Sequence, residues 1–111
     1  MTRDVRQLSP QTVDAARVLG QRIAQARRGR GWTAAELAER VGVSVRTISN
    51  LEHGSPSVAM GTAFEAATIV GIRLFGADGP ELAQLVRQGQ DTLALLPARV
   101  HHREVPVRDD F

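Results

Sequence analysis

The sequence contains no cysteine, no lysine and no tyrosine among its 111 residues. Without cysteine the chain can form neither a disulfide nor a cysteine-based zinc site, so a reducing cytoplasm is the expected compartment. No apolar run approaches the roughly 18 residues that are needed to cross a bilayer. We therefore expect neither a membrane span nor a secretory segment.

Positive charge is unevenly distributed. All 14 cationic residues are arginines, and 12 acidic residues leave a net charge of +2. The isoelectric point of about 10.9 is high because no side chain titrates between the pKa of the α-amino group and that of arginine. It therefore does not by itself indicate nucleic-acid binding. Residues 1–32 carry seven arginines against two aspartates, whereas residues 33–76 and 77–111 are each net negative. The first third of the chain is thus the basic part.

The length and composition fit one small domain with a tail, because 42% of the residues are hydrophobic and 23% are charged. The spacing of apolar residues predicts five helices. The first starts at Ser9-Pro10, ends at Gly29-Arg30-Gly31 and has an outer face that carries Arg17, Arg22, Arg27 and Arg28. The fourth is apolar through Met60, Phe64, Ala67 and Val70, and the fifth starts at Asp78 and continues towards Leu96.

The second and third helices are short and carry the functional signal. Thr33 and Glu36 form a capping box, and Gly42 ends the second helix after barely two turns. Ser44 caps the third helix, which ends before Gly54. Ile48 and Leu51 point inward in this helix, and the outward residues are Val45, Arg46, Ser49 and Asn50. Two short helices joined by a glycine-containing turn, the second with a polar outer face, are typical of a helix-turn-helix.

These segments resemble a known family. Four stretches are similar to the Cro/C1-type (XRE) helix-turn-helix regulators. They are Leu19 to Ile23, Arg30 to Thr33, Ala35 to Ser44 and Thr47 to Glu52. Within that family, the chain most resembles the HipB-like antitoxins that partner HipA-type toxin kinases. The residues that carry this second resemblance are Gly31-Trp32-Thr33, Thr47-Ile48-Ser49-Asn50, Pro56, and the tail residues Leu96 to Val100 and Asp109-Asp110-Phe111.

The resemblance implies an all-α, five-helix, lambda-repressor-like helix-turn-helix DNA-binding domain with a C-terminal extension. It further implies a cytoplasmic, nucleoid-associated bacterial homodimer that binds a palindromic operator in double-stranded DNA and autoregulates its promoter. Carried over by position, the base-reading residues are Ser44, Val45, Arg46, Ser49 and Asn50, and the residues that contact the phosphate backbone are Thr33, Arg40 and Thr47. Ala34 departs from the family pattern, since many members have a phosphate-binding glutamine there.

Several residues admit two interpretations. Arg27, Arg28 and Arg30 could contact phosphates or form a solvated helix end. Trp32 is more simply a packing residue than a base-stacking platform. Asp109, Asp110 and Phe111 could be a frayed terminus or a short motif that docks in a partner. His53, His101 and His102 form neither a metal ligand set nor a catalytic group, so we expect no cofactor, no metal and no enzymatic activity.

The sequence therefore predicts an N-terminal arm over residues 1–12, a helix-turn-helix domain over 13–76, an additional helix over 77–96 with a role in dimerisation, and a flexible tail over 97–111. The function expected first is a transcriptional repressor that is also the antitoxin of a HipBA-like module. One alternative is a stand-alone phage-type or stress-type repressor without a toxin partner. Another is an interaction module that neutralises an enzyme and binds no DNA.

Overall fold

The computed structural model describes residues 7–100 and residue 102. Within this part of the chain the secondary structure is entirely helical. The elements are α1 (Pro10–Gly29), α2 (Ala34–Val41), α3 (Val45–Glu52), α4 (Met60–Ile69), a 3-10 turn (Leu74–Gly76) and α5 (Gly79–Ala94). The five predicted helices are confirmed, whereas the 3-10 turn was not predicted. The chain divides into two compact units, Met1–Gly76 and Ala77–Phe111.

Side-chain caps begin four of the five helices. The Ser9 hydroxyl accepts from the Thr12 N–H at the start of α1, and Ser44 has the same role at α3. Complete capping boxes precede α2, between Thr33 and Glu36, and α5, between Asp78 and Glu81. The hydrogen bond from the Thr33 backbone and the one from its hydroxyl hold the pKa of Glu36 below its usual value. The observed starts of these four helices agree with the predicted ones, because a cap is a local hydrogen bond between residues close in sequence.

The core of the first unit lies where α1, α2, α3 and α4 meet. Ile23, Leu37 and Ile48 are its largest fully buried side chains. The remaining buried members of the cluster are Ala38, Leu51, Ala63, Ala66, Ala67 and Val70. Because α1 to α4 all contribute to this one cluster, each short helix is held by tertiary packing rather than by its own stability.

The buried face of α4 agrees with the prediction in part. Ala67 and Val70 are buried as predicted, together with Ala63 and Ala66, whereas Met60 is 72% exposed. Ala63 and Ala66 follow the same helical spacing as Ala67 and Val70 but were not predicted to be buried. Alanine lets helix axes approach closely, so the small residues form the contact and the methionine is left outside.

Backbone geometry brings α1 against the end of α3 at Gly20. A Cβ built there would lie 2.8 Å from the carbonyl oxygen of Glu52 and still closer to that of Leu51. Real side chains do not tolerate such distances from backbone atoms, so only glycine fits at this position. The contact places the last turn of α3 directly on the surface of α1.

We expect Gly20→Ala to lower the free energy of unfolding by about 3 kcal/mol, because the added methyl forces two packed helices apart. Gly61→Ala is the matched control, since a Cβ on this α4 glycine meets nothing within 4 Å. Removing the control glycine should stabilise the protein by about 0.5 to 1 kcal/mol. Urea unfolding of both variants measures the difference, and similar values for the two would contradict the close-contact interpretation.

Candidate nucleic-acid interface

One face of α3 is exposed along its whole length. Ile48 and Leu51 are buried in the core, while four residues on the other side of the helix are open to solvent. These four, which we call the α3 outer face, are Val45, Arg46, Ser49 and Asn50. The orientation predicted for them is confirmed. The α3 outer face combines a guanidinium, an amide, a hydroxyl and an apolar group, which together can recognise the edges of base pairs.

The turn before α3 fixes where this helix begins. Gly42 closes α2 in the left-handed conformation, with φ of 85°, and its N–H donates to the Ala38 carbonyl. Ser44 then caps α3 by accepting from the Thr47 N–H at 3.1 Å. The two hydroxyls of Ser44 and Thr47 lie 3.0 Å apart. Both residues assigned to DNA by resemblance therefore also hold the N-terminus of α3 together.

The last residue of α3 forms a buried ion pair with α1. Arg27 is only 8% exposed. Its Nε donates to one Glu52 carboxylate oxygen at 2.6 Å and its Nη2 to the other at 2.9 Å. A third bond runs from Nη1 to the Trp32 carbonyl at 2.8 Å. The hydrogen bond to Glu52 raises the pKa of Arg27 above its already high ordinary value, despite the opposing effect of burial.

This geometry corrects the prediction for Arg27. Its spacing along α1 predicted a position on the outer face with the other arginines. The structure instead buries Arg27 between α1 and α3, where its bidentate partner is a carboxylate. We assign it the role of holding α3 and leave it out of the phosphate-contacting set. Its neighbour Arg28 is exposed at the end of α1.

Arg30, Trp32 and Arg40 form a second structural group. Nε of Arg30 donates to the Val70 carbonyl at 3.0 Å, at the residue that caps the C-terminus of α4. The indole of Trp32 packs against the core, as expected. The Arg40 guanidinium lies 4.1 Å and that of Arg30 lies 5.3 Å from the ring centroid. Trp32 therefore fixes two cations through contact with its π system.

The remaining candidates are distributed as follows. Thr33 is exposed, and its hydroxyl accepts from the Glu36 N–H at 3.0 Å.

Some candidates lie outside the described residues, namely Asp109, Asp110, Phe111 and His101. Among residues 7–100 and 102, no three His, Asp or Glu side chains are grouped as metal ligands would be. No helix of this described part is long and apolar enough to span a membrane.

We expect Arg27→Met to lower the free energy of unfolding by about 3 to 5 kcal/mol, because it leaves the Glu52 carboxylate buried without its partner. Arg22→Met, on an exposed position of the same helix, should change it by less than about 0.5 kcal/mol. Denaturant unfolding followed by circular dichroism compares the two. Equal, small losses would show that the ion pair does not hold the helices together.

Comparisons with known proteins bear on the first unit. A protein-family model described as helix-turn-helix matches residues 23–75, slightly less than half of the chain. This segment runs from the second half of α1 into the 3-10 turn and contains the whole of α2, α3 and α4. Searches of curated proteins and of solved structures each returned no significant match. The all-helical fold is consistent with a lambda-repressor-like helix-turn-helix domain, and the match supports a DNA-binding transcriptional regulator of the Cro/C1 type.

Proposed function

We propose that the protein is a sequence-specific transcriptional repressor that binds a palindromic operator as a homodimer. The observation that carries the proposal is the α3 outer face, whose residues are exposed while the opposite side of the same helix is fixed in the core. A helix held in this way can enter a major groove about 12 Å wide without losing packing contacts.

Each residue of the α3 outer face has a role that follows from its chemistry. Arg46 donates two parallel hydrogen bonds to O6 and N7 of a guanine, and the Asn50 amide pairs with N6 and N7 of an adenine. Val45 contacts a thymine methyl, and Ser49 donates to or accepts from either kind of base. Ser44, which caps α3, also contacts a base edge. Together these contacts distinguish one half-site sequence from others.

Phosphate contacts fix the register of the domain on the duplex. We assign them to Arg28 at the end of α1, to Thr33 at the start of α2, to Arg40 in the last turn of α2 and to Thr47 in α3. Trp32 holds the Arg40 guanidinium in place before DNA arrives. In a symmetric dimer the two α3 helices enter successive major grooves about 34 Å apart, and occupancy alone excludes polymerase from the promoter. Such a repressor acts in the cytoplasm, at the nucleoid.

The antitoxin role rests on the sequence resemblance to HipB-like proteins. On this proposal the tail over residues 97–111, with Asp109, Asp110 and Phe111 at its end, contacts a HipA-like toxin kinase. Co-purification from the source cell tests it. A kinase that is recovered with the full chain, and lost when residues 97–111 are deleted, supports the antitoxin. A chain that purifies alone and keeps its operator binding supports the stand-alone repressor.

Arg46→Ala should weaken binding to the upstream region of the protein's own gene by about 1 to 3 kcal/mol and relax the preference at one base pair of each half-site. The reason is the loss of a bidentate contact to a single base. Gel shifts and footprints on wild-type and base-substituted operators measure both effects. Arg87→Ala on α5 is the control and should leave affinity unchanged, because it removes the same charge from a residue to which no DNA contact is assigned. Failure of the wild-type protein to shift any fragment at low salt would favour the interaction module instead.

Arg28→Ala should weaken binding to all sequences alike. Each phosphate contact releases counterions, so its loss flattens the slope of log affinity against log salt by roughly one unit. Fluorescence anisotropy with a labelled operator at several salt concentrations gives the slope. An unchanged slope, with Arg87→Ala again as the reference, would show that Arg28 is only a solvated helix end.

A further inference from the structure

Arg30 and Arg40 both lie against the indole of Trp32, but they are held in different ways. The Arg40 guanidinium is 4.1 Å from the ring centroid, and within residues 7–100 and 102 it forms neither a hydrogen bond nor an ion pair. The Arg30 guanidinium is 5.3 Å from the same centroid, and its Nε also donates to the Val70 carbonyl at 3.0 Å. Arg30 therefore has an anchor besides the ring, and Arg40 has none of that kind.

A guanidinium that stacks on an aromatic ring keeps its hydrogen-bond donors free. The ring attracts the face of the cation, whereas all five N–H bonds lie in the plane of the group. Those in-plane donors are the ones that bind the oxygens of a phosphate in pairs. The contact with Trp32 can therefore hold the Arg40 guanidinium without using any donor that a phosphate needs.

Arg30 is fixed at both of its ends. Its backbone N–H bonds to the last carbonyls of α1, and its guanidinium bonds to the residue that caps the C-terminus of α4. The dipole of α4 favours a cation at this end of the helix. Gly71 leaves room for it, because a Cβ built on this glycine, which has φ of 93°, would lie 2.8 Å from Nη2 of Arg30. The end of α4 is thus shaped around the Arg30 guanidinium.

The indole of Trp32 depends on its neighbours for its orientation. The Trp32 backbone is fixed, because its N–H donates to the Arg27 carbonyl and its own carbonyl accepts from the Arg27 side chain. These two bonds do not restrict rotation of the side chain. The ring is half-buried against the core, so part of it remains accessible. Arg30, which is anchored on α4, lies against this ring and limits its movement.

We infer that Arg30 is a positioning residue for Arg40. It holds the Trp32 indole from the end of α4, and the indole in turn holds the Arg40 guanidinium with its donors free for a phosphate. Arg30 itself contacts no phosphate. The inference rests on the proposed function, in which Arg40 contacts the DNA backbone. It extends that function to α4, a helix to which no DNA contact is assigned but whose last residue then contributes to operator affinity.

Proton NMR of the arginine side chains tests this arrangement without DNA. Protons above an aromatic ring resonate upfield, so the Arg40 Nε–H signal, identified by its loss in Arg40→Met, should differ from those of exposed arginines. Arg30→Lys keeps the charge but loses the planar group, so the Arg40 signal should move back towards the exposed positions. Arg22→Lys, at an exposed residue of α1, is the matched control and should leave it in place. An Arg40 signal that is unchanged in Arg30→Lys would overturn the inference.

Operator binding tests whether the arrangement serves a phosphate contact. Arg30→Lys should weaken binding of a labelled operator by about two- to fivefold, the size expected for an exposed cation–π contact. Arg40→Met should flatten the slope of log affinity against log salt by roughly one unit. When Arg40→Met is already present, Arg30→Lys should have no further effect, because a residue that acts through Arg40 cannot act without it. Equal losses with and without Arg40→Met would show that Arg30 contacts DNA independently, which contradicts a positioning role.

The two proposals fail in different ways. A protein that shifts no DNA, but whose Arg40 signal depends on Arg30, contradicts the repressor and leaves the positioning of Arg40 standing. A protein whose operator affinity and salt slope are the same in Arg30→Lys as in the wild type contradicts the positioning and leaves DNA binding standing. Circular dichroism of each variant shows that the helices persist, so that a loss of binding is not a loss of folding.

Discussion

The contact between α1 and the end of α3 is the constraint on which the rest of the first unit depends. Gly20 lets the two backbones meet, and the Arg27–Glu52 ion pair joins their side chains a little further along. The third bond of Arg27, to the Trp32 carbonyl, ties in the segment that leads to α2. A single guanidinium therefore holds the three pieces of chain whose relative placement sets the direction of α3. Removing a buried charge from such a junction is costly because its partner stays behind in a poorly solvated place.

This junction matters because α3 has only eight residues. An isolated helix of that length is not stable in water, so its shape comes from its surroundings. The Ser44 cap fixes its first turn, Ile48 and Leu51 anchor its middle, and Glu52 fixes its end. With all three points fixed, the backbone of α3 is held in place before any ligand is present, so little backbone order remains to be acquired on binding.

Local signals made most of the fold predictable. Caps such as Ser9 and Thr33, the stop at Gly42 and the inward pair Ile48 and Leu51 depend on neighbours in sequence, and the structure has them as expected. Arg27 was misplaced because its helical position alone suits a solvent-facing residue, and its partner lies 25 residues away. Ala63 and Ala66 on α4 were overlooked for a similar reason, since only the packed neighbours decide how much of an apolar helix is buried. The direction of the α3 outer face could be predicted because Ile48 and Leu51 settle which side of the helix is buried, whereas a base sequence proposed for it depends on DNA outside the chain.

The separation of roles on α3 has an evolutionary consequence. The residues of the α3 outer face do not belong to the buried cluster, and Ile48 and Leu51, which do belong to it, are not exposed. Mutations on the α3 outer face can therefore accumulate with little change in folding free energy. If this face binds DNA as we propose, each mutation changes which promoter is recognised. A duplicated copy of such a gene could acquire a new regulatory target in a few steps, without passing through an unfolded intermediate.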